Sequence, residues 1–275
     1  MTSTSTSKNP KMILEVEKIN LVYRIPLQRR TNFRDVFTSL VQDPMDTLFP
    51  NADYLHVAKD LSFTISEGER IGLLGVNGVG KTSLCRCIAG LFLPKSGKIK
   101  RYGPVRGVFN TALGIQPELT GRENAELLAH FIYPGTKDID KIIDEAIEFS
   151  ELGQFAEAPV KLYSNGMQTR LCLSVISARP TGLLILDEVF DGADMFFREK
   201  VSHRVLRLMK SSGGVLFVSH GMEQIKRVCT RVLVLHRGQI IFDGEPQEGI
   251  HFFENFDRGV KGTEGLFQFD GHQRI

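Results

Sequence analysis

The chain has 275 residues, enough for one large domain or two small ones with a buried core. Its 34 Lys and Arg residues against 32 Asp and Glu residues give a net charge of +2. This balance lacks the basic excess of nucleic-acid-binding proteins, so we expect no nucleic-acid partner. An apolar content of 42% excludes a disordered or collagen-like chain. No apolar run is long enough to span a membrane, and residues 1–12 resemble a frayed, disordered tail rather than a signal peptide.

The four cysteines indicate buried, reduced thiols rather than a metal site. They are Cys85, Cys87, Cys172 and Cys229. None shows C-x-x-C spacing, and positions 85 and 87 would point in different directions on a helix. We therefore expect free cysteines with structural roles and no metal bound to them.

The order of apolar runs along the chain predicts an α/β fold. Early runs at 13–19 and 61–65 alternate apolar and polar residues, which is typical of an antiparallel β lobe. Later runs are short and almost continuously apolar, as in parallel strands covered on both faces: 71–75, 182–187, 214–220 and 231–236. Helical periodicity lies between these runs, near 84–91 and 139–147. Alternating strands and helices favour a mostly parallel sheet flanked by helices.

Two segments interrupt this pattern. Residues 118–165 begin with a capping box at Thr120 to Glu123, continue with two helical segments, and predict an inserted helical subdomain. Residues 24–57 form a second insertion with a basic amphipathic helix. Its apolar residues are Phe33, Val36, Phe37, Leu40 and Val41, beside Arg29, Arg30 and Arg34. This helix either packs on its own domain or meets a membrane partner or lipid headgroups.

The clearest chemical motif is a phosphate-binding loop between an apolar run and a helical pattern. It reads Gly75-Val76-Asn77-Gly78-Val79-Gly80-Lys81-Thr82, followed by Ser83. The glycines let backbone N–H groups approach phosphate oxygens at the start of a helix. Lys81 is expected to reach the outer phosphates and Thr82 to ligate Mg²⁺. The motif thus predicts binding of a nucleoside triphosphate.

Carboxylates follow the strand predicted at 182–187. Asp187 and Glu188 stand at its carboxyl end, where open α/β sheets bind ligands. We expect Asp187 to support Mg²⁺ and Glu188 to polarise the water that attacks the γ-phosphate. His220 ends another buried run and is the candidate for a contact with the γ-phosphate.

Together these motifs resemble the nucleotide-binding subunit of an ABC transporter over residues 13–245. The family's signature loop is matched by Tyr163-Ser164-Asn165-Gly166-Met167-Gln168. This form, together with the segment at 117–124, is similar to the branch that exports capsular polysaccharide, O-antigen or teichoic acid. The resemblance implies a P-loop NTPase with a RecA-like core, the antiparallel β lobe and the helical subdomain. Residues 246–275 remain as a C-terminal helix and tail.

The resemblance also implies roles for further residues. Residues 164–167, which are Ser164, Asn165, Gly166 and Met167, would contact the γ-phosphate held by another subunit. Tyr23 would stack on adenine, and Gln116 is the nearest candidate for the glutamine-loop ligand of Mg²⁺. Asp194 matches a residue that crosses to the other subunit.

The implied function is an ATPase subunit that uses ATP and Mg²⁺ to power export of a lipid-linked polysaccharide. The sequence has one phosphate loop, so an active pair of sites requires a homodimer, unlike the twin-cassette translation factors. The partners would be two copies of a multi-span membrane permease that handles the glycan, with this chain peripheral on the cytoplasmic face of the cytoplasmic membrane. Three alternatives stay open: an ABC ATPase for another substrate, a soluble P-loop kinase, and a nucleotide switch. No carbohydrate-binding domain is evident after residue 245.

Overall fold

The computed structural model describes residues 11–25, 53–109, 114–187, 195–219 and 221–261. Elements are numbered in chain order within these ranges. The strands are β1 (Met12–Ile25), β2 (Asp53–Ser66), β3 (Arg70–Leu74), β4 (Ser96–Arg101), β5 (Val105–Val108), β6 (Leu183–Asp187), β7 (Gly214–Val218), β8 (Arg231–His236) and β9 (Gln239–Gly244). The helices are α1 (Lys81–Ala89), α2 (Gly121–Ile132), α3 (Ile139–Ser150), α4 (Asn165–Ile176), α5 (Met195–Ser211), α6 (Met222–Val228) and α7 (Pro246–Lys261). Two short 3-10 helices lie at Gly153–Glu157 and Val160–Leu162.

The first sheet is antiparallel and has the order β2-β1-β4. Its inward positions on β1 and β2 are buried apolar residues, whereas the alternate positions are more exposed, as the predicted alternation requires. Sequence patterning missed β4 because Ser96–Arg101 has a single apolar residue, Ile99. Strand β4 forms by pairing with β1 rather than by burying a face of its own.

The second sheet has the order β5-β6-β7-β3-β8-β9. All neighbours are parallel except β8 and β9, which form an antiparallel hairpin. Strands β6 and β7 are buried at every position, since helices cover both faces of a parallel sheet. The predicted α/β class with a mostly parallel sheet is confirmed.

Among the described residues, apolar side chains form three cores. One joins the antiparallel sheet to α1 and one face of the parallel sheet. Another lies on the opposite face of the parallel sheet, against α5, α6 and α7. The third lies among α2, α3, α4 and the 3-10 turns, which we call the helical cluster. Leu173 on α4 belongs to the second core and Leu171 to the third, so α4 connects the helical cluster to the sheet.

The predicted capping box at the start of the helical cluster is present. The Thr120 hydroxyl accepts a hydrogen bond from the Glu123 backbone N–H at 3.2 Å, and the Glu123 carboxylate accepts one from the Thr120 N–H at 2.8 Å. Thr120 also forms an isolated bridge with Pro159. The helix therefore starts where the sequence predicts.

The insertion predicted at 24–57 is shortened at both ends by strand pairing. Arg24 and Ile25 continue β1, and residues 53–57 begin β2, with Ile25 opposite Asp53. The hydrogen-bonded pairing of β1 with β2 therefore extends beyond the part of β1 that also pairs with β4. The predicted amphipathic helix lies outside the described residues.

Cys85, Cys87, Cys172 and Cys229 are all buried and free, as expected. Helix α7 has 16 residues and occupies the start of the C-terminal segment at 246–275. In the part of the chain that the structure describes, none of the helices combines the length and apolar character that crossing a bilayer requires.

Candidate nucleotide-binding site

The predicted phosphate loop joins β3 to α1 at the carboxyl edge of the parallel sheet. The loop turns tightly, with the Val79 N–H donating to the Val76 carbonyl at 3.3 Å. Gly78 has φ of +78° and Gly80 has φ of +106°, a left-handed region that glycine adopts without steric cost. Helix α1 starts after Gly80 without a side-chain cap and without an acidic residue in its first turn. Its N-terminal N–H groups therefore point to the loop, where an anion can accept hydrogen bonds from them.

Strand β2 packs directly over the end of this loop. A Cβ added at Gly80 would lie 2.3 Å from Cγ1 of Val57, which is closer than two non-bonded carbon atoms can approach. Val57 is buried, so the antiparallel sheet limits which residue can stand at position 80. Sequence reasoning assigned Val57 no role in the site, because the contact joins residues far apart in the chain.

Lys81 is held inside the loop. The residue is 7% exposed, and its Nζ donates to the carbonyl of Gly75 at 2.7 Å and to that of Val76 at 3.2 Å. These bonds hold the ammonium group beside the first two residues of the loop. Thr82 and Ser83 follow it in the first turn of α1 and are partly exposed.

Asp187 ends β6 and is 5% exposed. It pairs with Val218 of β7, and β7 in turn pairs with β3. Asp187 thus lies two strands from the phosphate-loop strand, about 10 Å across the sheet. Burial raises the pKa of the Cys85 thiol on α1, the Asp187 carboxylate raises it further, and the Lys81 ammonium lowers it. The Asp187 carboxylate and the Lys81 ammonium group therefore both act on the same buried thiol.

The predicted signature segment lies at the exposed start of α4. Ser164 is the N-cap residue, and its hydroxyl accepts a hydrogen bond from the Met167 N–H at 3.2 Å. Ser164 and Asn165 are exposed, whereas Gly166 and Met167 are partly buried. Met167 packs against the core of the helical cluster. The segment thus presents a polar helix N-terminus at the molecular surface.

Tyr23 lies near the end of β1, opposite Leu55. The residue is 36% exposed, and its ring forms a T-shaped contact with that of Phe92 at a centroid distance of 5.7 Å. Phe92 follows the C-terminal end of α1, the opposite end from the phosphate loop. Stacking of Tyr23 on adenine stays a prediction.

Gln116 is exposed and is attached to the helical cluster through its backbone. Its N–H donates to the Asn124 side chain at 2.7 Å, and its carbonyl accepts from that side chain at 3.0 Å. Asn124 is fully buried and also donates to the carbonyls of Leu119 and Thr120. Sequence reasoning missed Asn124, whose buried amide positions this loop. A role for Gln116 in binding Mg²⁺ stays a prediction.

Three predicted site residues lie outside the described residues. They are Glu188, His220 and Asp194. Glu188 directly follows Asp187 in the sequence, and His220 stands two residues after the end of β7. Their proposed roles therefore depend on sequence alone.

Comparison with known proteins gives the family of the chain. A family model described as "ABC transporter" matches residues 58–191. The teichoic acids export ATP-binding protein TagH of Staphylococcus saprophyticus is 32% identical over 261 residues, which cover 94% of this chain and 95% of that protein. An O-antigen export system ATP-binding protein of Klebsiella pneumoniae is 35% identical over 75% of this chain and 84% of that protein. The chain belongs to the ABC transporter family. This membership confirms the resemblance inferred from the loop, carboxylate and signature motifs.

Solved structures support the ABC cassette fold. A dimeric ATP-binding cassette in a post-hydrolysis state, bound to ADP and phosphate, aligns with a TM-score of 0.65 at 18% identity. The alignment covers 85% of this chain and 99% of that cassette. An ATP-binding subunit of an ABC transporter also gives a TM-score of 0.65, at 19% identity, over 92% of this chain and all of that one.

Proposed function

We propose that this ABC chain is the ATP-binding and ATP-hydrolysing subunit of a transporter that exports a lipid-linked polysaccharide. The observation that carries the proposal is a pair of helix N-termini, one without a side-chain cap at the predicted phosphate loop and one exposed at the signature segment, where Ser164 is the N-cap. One starts α1 behind the phosphate loop, and the other starts α4 at the signature segment. The relatives named above, which are O-antigen and teichoic acid export subunits, support the polysaccharide substrate. Family membership favours this interpretation over a P-loop kinase.

Triphosphate binding follows from the construction of the loop. The N–H groups at residues 76–82 and the dipole of α1 attract the β- and γ-phosphates. Lys81 exchanges its bonds to the Gly75 and Val76 carbonyls for bonds to phosphate oxygens, which carry more charge and accept stronger hydrogen bonds. Because the lysine is already positioned in the loop, little side-chain entropy is lost when the ligand binds.

The residues near the loop suit Mg²⁺. Thr82 offers a hydroxyl in the first turn of α1, and Asp187 offers a carboxylate at the end of β6. Oxygen ligands of this kind, one or two from protein together with phosphate oxygens, are what Mg²⁺ prefers. Bound Mg²⁺ would neutralise charge on the β- and γ-phosphates.

Hydrolysis would depend on Glu188 and His220. The Glu188 carboxylate accepts a proton from the attacking water as the new oxygen–phosphorus bond forms and the bond to the leaving oxygen of ADP breaks. His220 contacts the γ-phosphate and helps to hold the water in line. Asp187, adjacent to Glu188 in the sequence, links this chemistry to the Mg²⁺ site.

A second copy of the chain would complete each site. The signature segment is exposed on the surface, so residues 164–167 of one copy can approach the γ-phosphate in the phosphate loop of the other. Asp194 would lie at the same interface. ATP then bridges two surfaces that ADP cannot bridge, so binding closes the homodimer and hydrolysis opens it. Two permease subunits at the cytoplasmic face of the membrane would receive this motion.

Trapping of a nucleotide-bound dimer tests the proposal. Glu188→Gln is expected to retain ATP binding, to lose steady ATP hydrolysis, and to sediment as a dimer with ATP and Mg²⁺. The matched control is Glu126→Gln, since Glu126 is an exposed glutamate on α2. The control should hydrolyse ATP as the unaltered chain does and dimerise only transiently. Undiminished turnover in Glu188→Gln would refute the assigned base.

The polysaccharide substrate needs a test in cells. A strain that depends on Glu188→Gln in place of the native chain should lack the polymer at its surface and accumulate it on its lipid carrier inside. Normal surface polymer in that strain would point to a different substrate.

A further inference from the structure

The C-terminal ends of the three helices in the helical cluster converge at one place. Tyr133 is the C-cap of α2, Phe149 stands one residue before the end of α3, and Ser177 is the C-cap of α4. Tyr133 is 5% exposed, and its hydroxyl donates towards the carbonyls of Val175 and Ile176 in the last turn of α4, at 2.7 and 3.1 Å. The ends of α2 and α4 are therefore tied together.

Cationic side chains from β5 and α5 contact the C-terminal ends of all three helices. The Arg106 guanidinium of β5 lies over the Tyr133 ring, 4.3 Å from its centroid, and donates to the carbonyl of Arg179 just after α4. The Arg204 guanidinium of α5 lies 4.0 Å from the centroid of Phe149, and its Nε donates to the Ser177 carbonyl at 3.2 Å. We call the set Arg106, Tyr133, Phe149, Lys200 and Arg204 the cation joint.

Lys200 adds a third cation from α5. Its Nζ lies 4.6 Å from the centroid of Phe149 and donates to the Phe149 carbonyl at 3.1 Å. It also pairs with Glu151, the C-cap residue of α3. The three helices thus end at positive charges, which interact favourably with the negative ends of helix dipoles. Cation–π contact with the two rings strengthens the same junction.

These contacts are made at a desolvation cost. Burial lowers the pKa of Arg106 and of Arg204, and the Arg106 Nε is buried without a hydrogen-bond partner among the described residues. Residues Val205, Leu208 and Met209 of α5 meanwhile pack on the parallel sheet. The joint therefore connects the rigid sheet to the helical cluster through polar and aromatic contacts whose geometry is directional.

Helix α4 has the joint at one end and the signature segment at the other. Its 12 residues span about 18 Å. Its C-terminal end is held through Ser177 and Tyr133, and its N-terminal end presents Ser164 at the surface. A small rotation of α4 about the cation joint would displace Ser164 more than any residue near the joint, because the displacement grows with distance along the helix.

We propose that Arg106 and Arg204 are positioning residues that set the direction of α4 and so place Ser164 for its contact with the nucleotide of a second copy. They act through α4 and do not themselves touch ATP. This proposal rests on the dimeric ATPase proposed above and adds residues that its motifs do not include. Replacing both arginines should leave the phosphate loop of a single chain intact and weaken ATP-driven association.

The test compares Arg106→Met/Arg204→Met with Arg207→Met. Arg207 is exposed on the same helix, three residues after Arg204, and controls for the loss of an arginine from α5. ATP affinity, measured on the non-hydrolysing Glu188→Gln background at a protein concentration that keeps the chain monomeric, should be unchanged in both. In chains that keep Glu188, the protein concentration that gives half-maximal ATPase activity should rise about tenfold or more in the double variant alone. This is the weakening of association expected from the loss of two cation–π contacts. Arg204→Lys, which keeps the charge but not the planar group, should give an intermediate shift.

A second measurement does not depend on turnover. Spin labels on Leu162→Cys and Gln239→Cys, both exposed positions, report the distance between the helical cluster and the sheet, and the four native cysteines are buried. The double methionine variant should show a shifted or broadened distance distribution, and Arg207→Met should not. An unchanged distribution together with an unchanged half-maximal concentration would overturn the proposal. If the unaltered chain neither dimerises nor hydrolyses ATP, the proposed function fails, and the spin-label distances still decide the joint.

Discussion

The Nζ of Lys81 lies 2.7 Å from the carbonyl oxygen of Gly75, so the cation of the phosphate loop is bound to the first residue of the same loop. The bond keeps a nearly buried ammonium group hydrogen-bonded when the loop holds no phosphate. It also keeps the group close to the N-terminus of α1, where a triphosphate would replace the carbonyl.

Removal of this charge should abolish tight nucleotide binding. Lys81→Met keeps most of the aliphatic stem but loses its charge-assisted hydrogen bonds, so ATP affinity should fall by about 100-fold. Equilibrium binding of a fluorescent ATP analogue measures this effect. Lys95→Met removes an exposed lysine and should bind the analogue as the unaltered chain does. Equal affinity in Lys81→Met would contradict the assigned contact.

Gly80→Ala should destabilise the chain through two separate effects. The residue would keep a φ of +106° and place its Cβ 2.3 Å from Cγ1 of Val57. The combined loss in the free energy of unfolding should be about 2 to 5 kcal/mol, measured by urea denaturation. Gly68→Ala is the matched control, because Gly68 has φ of +85° and a Cβ added there would have no heavy atom of the described residues within 4 Å. It should show the backbone strain without the steric clash.

A double-mutant cycle separates the clash further. In Gly80→Ala/Val57→Ala the methyl group that collides is absent, so the pair should be less destabilised than the sum of the single variants by about 1 to 2 kcal/mol. Strict additivity of the two changes would show that Val57 does not limit position 80.

Replacement of Ser164 distinguishes capping of α4 from contact with a nucleotide. Aspartate caps helices as well as serine does, so Ser164→Asp should keep the stability of α4 while its charge repels the γ-phosphate. We expect near-native thermal unfolding and a loss of ATPase activity of about 100-fold or more. Gln154→Asp adds the same charge at an exposed site of the helical cluster and should remain active. Full activity in Ser164→Asp would exclude the predicted contact.

The buried thiol of Cys172 should make stability fall at high pH. Burial raises its pKa from the ordinary value of 9.0 to about 12, so the unfolded chain releases this proton at lower pH than the folded chain. The free energy of unfolding should therefore decline between about pH 9 and 12, by about 1.4 kcal/mol per pH unit for this group. Cys172→Ala should show a shallower decline by that amount in denaturation at a series of pH values. Identical slopes in the two proteins would contradict the prediction.

Local patterns predicted the parts of the fold that a short segment specifies. The capping box at Thr120 and the buried strands β6 and β7 follow from spacing within a few residues, so they could be located in advance. Strand β4 could not, since Ser96–Arg101 lacks a pattern of its own and is ordered by pairing with β1. The position of Tyr23 beside Phe92 was likewise unpredictable, because it depends on how the antiparallel sheet packs on α1.

The sequence by itself determined the family and the fold class, and it predicts the phosphate loop with its lysine, because each of these depends on residues that are contiguous or regularly spaced. Tertiary structure alone decided that Val57 closes over Gly80, that Asn124 holds the backbone of Gln116, and that Arg106 and Arg204 meet the ends of the helical cluster. These contacts join residues from different elements. Their distances depend on the packing of whole sheets and helices, which no local pattern encodes.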